Sequence, residues 1–172
     1  MLNPKEKTLN LVKILSLHLI VLFFVTLNVI PIVISDTPNI SPMFSVIVVF
    51  YFTVYKTEIF SNFFIFLIGI WVDSLRALPL GTTSLALLLS VKIIHEINSR
   101  LLTKDTFLQL VNLFVIFCAI FSFIKWSILS LFYTTPYPVI PVFLNIGVTI
   151  LLYILLHNLF DFLNAKLTVH GD

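Results

Sequence analysis

Charge is scarce in this chain. Only 10% of its 172 residues are Asp, Glu, Lys or Arg, against 59% hydrophobic, and the mean hydropathy is +1.11. A soluble domain carries about 25% charged and 45–50% apolar residues, so this composition cannot cover a water-facing surface, and an integral membrane protein follows. A net charge of +2 offers no basic surface, and no nucleic-acid partner is expected. The single cysteine, Cys118, lies inside an apolar run, which excludes a disulfide framework and a cysteine metal site; it reads as a small core- or lipid-facing residue. Glycine and alanine number four each, so close packing through GxxxG-type seams is scarce and large side chains must fill the helix contacts. The four histidines, His18, His95, His157 and His170, form no HExxH or comparable pattern. No nucleophile–base pair or metal-ligand spacing stands out, and neither an enzyme nor a bound cofactor is expected.

What the chain does have is a series of apolar runs. A transmembrane helix needs roughly 20 residues to cross a 30 Å core, and the length suits about six short spans with minimal loops and no soluble domain. The first run, 11–35, is too long for a cleavable signal peptide and no small-residue cleavage site follows it. Pro31 predicts a kink or early stop near its end, before an Asp36–Pro42 turn. Residues 43–72 hold two runs separated by Lys56-Thr-Glu58, each short for a span. Two readings are open: two tightly joined short helices, or a pair that borrows flanking residues to give spans at 42–55 and 59–74. Lys56 and Glu58 are costly at mid-membrane and natural at an interface, which favours two spans. Further spans are expected at 82–95, 107–133 and 139–160, separated by the polar loop His95–Asp105 and by Thr134-Thr-Pro-Tyr-Pro138.

The distribution of cations orients this arrangement. With the N-terminus in the cytoplasm, Lys5, Lys7, Lys13, Lys56, Lys92, Arg100, Lys104 and Lys166 fall on the inner side, Arg76 falls outside and Lys125 lies within a span. Cytoplasmic loops collect Lys and Arg, so both termini are expected inside. A single span over 43–72 would invert every later loop. Trp71, Tyr133 and Tyr137 suit an outer aromatic belt and Tyr55 an inner one.

Few residues are placed to carry chemistry. His157 and Asp161 stand i, i+4 and read as an interfacial polar pair. His18, Asn28, Asn112 and Asn145 are explained by interhelical hydrogen bonds. Lys125 is the one clear intramembrane charge, about 12 Å from the outer end of its helix. It is expected to snorkel, to pair with a neighbouring helix, or to meet a partner helix or lipid head group.

The chain is organised around Gly69-Ile-Trp-Val-Asp-Ser-Leu-Arg-Ala-Leu-Pro-Leu-Gly-Thr82, which joins two apolar runs and holds two of the four glycines. Gly69 permits close approach of a neighbouring backbone, while Pro79 and Gly81 turn the chain. Asp73, near a helix C-terminus where the dipole disfavours it, needs a partner. Arg76 is the nearest candidate, and the N-terminus of the helix after Gly81 is another.

The spacing of Gly69, Asp73, Pro79, Leu80 and Gly81, after the aromatic run Phe50-Tyr-Phe, resembles the MreD family of bacterial rod shape-determining membrane proteins. The likeness in size and spans covers essentially the whole chain, and the specific signal lies in residues 50–90. Family members often carry a glycine between the Asp and the Pro, where this chain has Leu75-Arg-Ala-Leu78, and a Trp in the aromatic run that is missing here. The resemblance implies a non-enzymatic scaffold of the cell-elongation machinery in the bacterial inner membrane. Its expected partners are MreC and, through it, MreB, RodA and an elongation transpeptidase. It also implies a compact all-α bundle similar to the substrate-binding components of energy-coupling-factor vitamin transporters. The alternative function is such a transporter component. Against it, the first run has Ser16 and Ser35 but no Ala or Gly with which to dock a coupling subunit.

Overall fold

The computed structural model describes residues 4–29, 41–55, 61–101, 107–133 and 138–167. These form six α-helices and no strand: α1 (Pro4–Thr26), continued by a 3-10 turn over Leu27–Val29, α2 (Phe44–Tyr55), α3 (Asn62–Leu75), α4 (Thr82–Leu101), α5 (Phe107–Tyr133) and α6 (Val139–Leu167). Among the described residues two stretches are long and apolar enough to cross a membrane, α5 throughout and α6 over Val139–His157. The 12 residues of α2 and the 14 of α3 reach about 18 and 21 Å at 1.5 Å per residue.

Several helix ends differ from those expected, for one physical reason: a helix stops at a breaker or a cap, not where hydrophobicity stops. The fourth helix was expected to end near Ile94 in a loop beginning at His95, yet α4 runs on to Leu101, because His95-Glu-Ile-Asn-Ser-Arg-Leu contains neither Gly nor Pro. For the same reason α6 passes Phe160 and reaches Leu167. At the other end of the chain, α1 begins at Pro4 rather than Leu11, since Pro suits a first helical turn. Ser61 caps α3, its Oγ accepting from the Phe64 amide at 3.3 Å, and so moves that start to Asn62. The Pro31 kink, residues 30–35 of the first expected span, the Lys56–Glu58 break and Thr134–Tyr137 lie outside the described residues.

α2 is the axis of the bundle. Its sequence, FSVIVVFYFTVY, is apolar on every face, the pattern of a helix enclosed on all sides. Every residue from Ser45 to Val54 is buried, and α1, α3, α4, α5 and α6 all pack against it. Phe50 meets Phe114 and Phe117 of α5 and Tyr153 of α6 with ring centroids 5.1, 5.4 and 5.6 Å away, and Phe114 stacks on Tyr153 at 3.9 Å. Cys118 is buried in this core.

A helix enclosed in this way still needs partners for its first amide groups. Within α2 the Ser45 amide donates to Asn28 Oδ1 at 3.5 Å, and α6 bonds two amides of the segment just ahead of the helix. Asn145 Oδ1 accepts from the Ser41 amide at 3.0 Å, and Thr149 Oγ1, one turn further on, accepts from the Met43 amide at 3.1 Å. The outer faces are strongly apolar: Leu15, Leu19 and Phe23 form an exposed i, i+4, i+8 stripe on α1, and Ile140, Phe143, Leu151 and Leu155 are exposed on α6. Trp71 and Tyr133 are exposed as well, while Tyr137 and the side chain of Tyr55 lie outside the described residues.

Candidate functional site

The hairpin joining α3 to α4 is locked at three points. At the first, Gly69 faces the backbone and hydroxyl of Ser84, which leave no room for a Cβ. Ser84 Oγ crosses between the helices to donate to the Phe66 carbonyl at 2.9 Å. At the second, α3 ends in a Schellman-type turn: the Leu78 amide donates back to the Asp73 carbonyl at 3.0 Å, and Ala77 takes φ +50°. This left-handed position normally falls to glycine. Here an alanine holds it.

The third point is Asp73 itself, which is fully buried. Its carboxylate accepts from the Gly81 amide at 2.9 Å and from the Thr83 amide at 3.0 and 3.1 Å. Gly81, immediately before α4 with φ +96°, has the backbone freedom the turn requires but no side chain with which to cap the helix. Asp73 supplies that cap from the preceding helix. Of the two partners open to Asp73 on sequence grounds, the α4 N-terminus is the one its carboxylate bonds. The choice is electrostatically sensible, since an anion is favoured at a helix N-terminus. Pro79 contributes its carbonyl, which accepts from the Thr82 amide at 3.2 Å and from Thr82 Oγ1 at 2.8 Å. Leu80 points away from all of this at the tip, 71% exposed.

Two cations border the same end. Arg76 Nη2 donates to the Asn28 carbonyl at 2.7 Å, placing a guanidinium on the last turn of the α1 segment, where carbonyls have no helical partner. Lys125 turns into the bundle: its Nζ donates to Thr83 Oγ1 at 3.1 Å and sits 5.7 Å from the centre of the Phe121 ring. Arg76 and Asp73 both lie within electrostatic reach of that ammonium. The buried Asp73 therefore stands among the positive end of α4, Lys125 and Arg76.

Beside this cluster lies a cavity of about 400 Å³, bounded by the α2 entrance (Ser41, Met43), Asn28, the hairpin residues Leu75, Arg76 and Leu78, α5 from Phe121 to Leu129, and α6 at Pro141, Val142 and Asn145. Ser122 lines it and is 6% exposed, and its hydroxyl has no hydrogen-bond partner.

The remaining polar residues do other things. Asn28 and Asn145 make interhelical bonds, Asn28 Oδ1 accepting from the Ser45 amide at 3.5 Å. His18 packs edge-on to Phe64 at 4.2 Å, and Asn112 is exposed. His157 is buried against Phe107, Tyr51 and Tyr153; the side chain of Asp161, its expected partner, lies outside the described residues. Among the described residues no three His, Cys, Asp or Glu side chains converge as metal ligands.

Sequence reasoning passed over Thr83, Ser84 and Ser122. The run Thr82-Thr83-Ser84 directly after Gly81 was a helix-start signal, and Ser122 stands i, i−3 from Lys125 on one helix. No protein-family model, curated protein or solved structure matches this chain.

Proposed function

We propose that this chain is a multi-pass inner-membrane protein, with both termini in the cytoplasm, that serves as a non-enzymatic scaffold of the cell-elongation machinery, as its resemblance to the MreD family implies. The observation that carries this reading is the hairpin. Gly69, Asp73, Pro79 and Gly81 each have a definite structural duty in it, while Leu80, a residue of the same motif, stands exposed at the tip. A rigid turn that presents an apolar side chain suits docking of a partner on the outer side. The unpaired apolar stripes of α1 and α6 suit lipid and partner helices. The cation distribution supports the orientation, which requires α2 and α3 to serve as two short spans. MreC is the expected direct partner, with MreB, RodA and the transpeptidase reached through it.

A second reading, a substrate-binding component of a small-molecule transporter, is favoured by the cavity beside Arg76 and Lys125. Against it, the exposed stripe of α1 consists of Leu15, Leu19 and Phe23 rather than small residues. Co-purification of the tagged protein from its own host in mild detergent, read by mass spectrometry, separates the two. Recovery of MreC with elongation synthases is the expected result. Recovery of an ATPase pair with a coupling subunit would replace the scaffold reading by the transporter one.

A further inference from the structure

The two sides of α5 differ sharply. Leu110, Leu113, Phe114, Phe117, Cys118 and Phe121 are buried against the bundle. On the other side Gln109, Asn112, Ile116, Ala119 and Phe123 are all exposed. These five follow one another at alternating steps of three and four residues, the repeat of a helix that packs lengthwise on another at a shallow left-handed crossing. α4, α6 and α2 pack on α5 and leave this face uncovered.

A face that met only lipid would be apolar throughout, and this one carries two carboxamides. The 27 residues of α5 reach about 40 Å, against a hydrocarbon core of about 30 Å. With the helix centred on that core, Asn112, about 7.5 Å from the helix start, lies inside it, and Gln109 lies at its border. Neither carboxamide hydrogen-bonds another described residue. A polar side chain in hydrocarbon is costly until it finds a hydrogen-bond partner. The interhelical bond expected of Asn112 therefore has to come from another molecule. Two turns further on, Ala119 is the smallest side chain of the face and lets a second backbone come close.

We infer that this face of α5 pairs with the same face of a second copy of this chain. Copies inserted in one orientation are related by a twofold axis along the membrane normal, so α5 meets α5 in parallel and each residue at the seam faces its own counterpart. A carboxamide suits that geometry, because it holds both donors and an acceptor and can bond its twin. The same register sets Ile116 and Phe123 against their counterparts, with Ala119 at the closest approach. No charged residue stands among the five to oppose self-pairing. The pairing rests on α5 crossing a membrane, one part of the proposed function, and on nothing of the scaffold role.

The test uses the full chain in phosphatidylcholine vesicles, with Cys118→Ser so that each introduced thiol is the chain's only one. On oxidation with copper phenanthroline, Ala119→Cys is expected to give a disulfide-linked dimer, and Leu151→Cys, exposed on α6, is not. Association is also read by energy transfer between donor- and acceptor-labelled copies as lipid dilutes them. Asn112→Leu is expected to weaken it about three- to tenfold, the range of an interhelical hydrogen bond in a bilayer, and Asn112→Gln to keep most of it. Position 112 is exposed, so neither variant disturbs the core of the fold. Resistance to carbonate extraction is scored on the same vesicles. A chain that carbonate strips off refutes the membrane crossing, and the pairing with it. A retained chain that stays monomeric overturns the pairing alone, whether the face then meets lipid or the helix of another protein. Equal dimer yields from Ala119→Cys and Leu151→Cys, or equal association of wild type and Asn112→Leu, overturn it as well.

Discussion

Removing the Asp73 carboxylate is the sharpest perturbation this structure offers. The group is 0% exposed and accepts from two backbone amides, Gly81 at 2.9 Å and Thr83 at 3.0 Å. In Asp73→Ala both amides lose their acceptor at a place water does not readily reach, at about 1–3 kcal/mol for each buried donor. The two effects overlap because both amides open the same helix, so a total of roughly 2–4 kcal/mol is expected. The carboxylate also offsets the α4 dipole and the Lys125 and Arg76 charges, so its removal leaves like charges together. Asp73→Asn keeps one acceptor oxygen and loses the charge, and it should fall between wild type and alanine. A chain of this length loses about 2–4 °C of melting temperature per kcal/mol. The alanine variant should therefore melt roughly 4–16 °C lower in nanodiscs. Thr83→Ala is the control, since it removes the hydroxyl that meets Lys125 and keeps the amide that meets Asp73. If Asp73→Ala melts with the wild type, or Thr83→Ala is as damaging, the capping argument is wrong. In the host, Asp73→Ala and Gly81→Val should lower assembly with MreC more than Cys118→Ser, and equal membrane levels and equal MreC recovery for all three would refute a role for the hairpin in assembly.

The other predictions concern the same turn. Gly69→Ala drives a Cβ into the Ser84 backbone and should destabilise by at least the roughly 1–3 kcal/mol of an overpacked core, whereas Gly81→Ala meets open space and pays only for φ +96°, about 1–2 kcal/mol; a melting series in which Gly81→Ala is the worse of the two contradicts the close-approach account. Ala77→Gly relieves the left-handed alanine at φ +50° and should raise stability by about 1 kcal/mol, detectable as a higher melting temperature.

The helical runs were legible because apolar stretches of this length have few alternatives. The expected 107–133 span coincides with α5, and 59–74 differs from α3 by its start, set by the Ser61 cap, and by one residue at its end. Helix ends were misjudged wherever polar residues without a breaker followed the apolar run, as at His95–Leu101 and beyond Phe160. Hydropathy reports the environment of a side chain, and helix continuation depends on the backbone. The spacing of Gly69, Asp73, Pro79 and Gly81 identified the hairpin, because a close approach, a charge at a helix end and a left-handed glycine are local demands. The choice between Arg76 and the α4 N-terminus as the partner of Asp73 was not legible, since both were close in sequence and opposite in sign to the carboxylate.

The sequence alone therefore determined the helical class, the two long apolar helices and the place of the turn, because these follow from composition and short-range backbone chemistry. Only the tertiary structure decided that α2 is the enclosed axis, that Arg76 turns to Asn28, and that Ser122 and Lys125 of α5 share a cavity with the hairpin. Those outcomes depend on which faces of helices far apart in the chain meet, and in a chain apolar on nearly every face no periodicity marks one side from another.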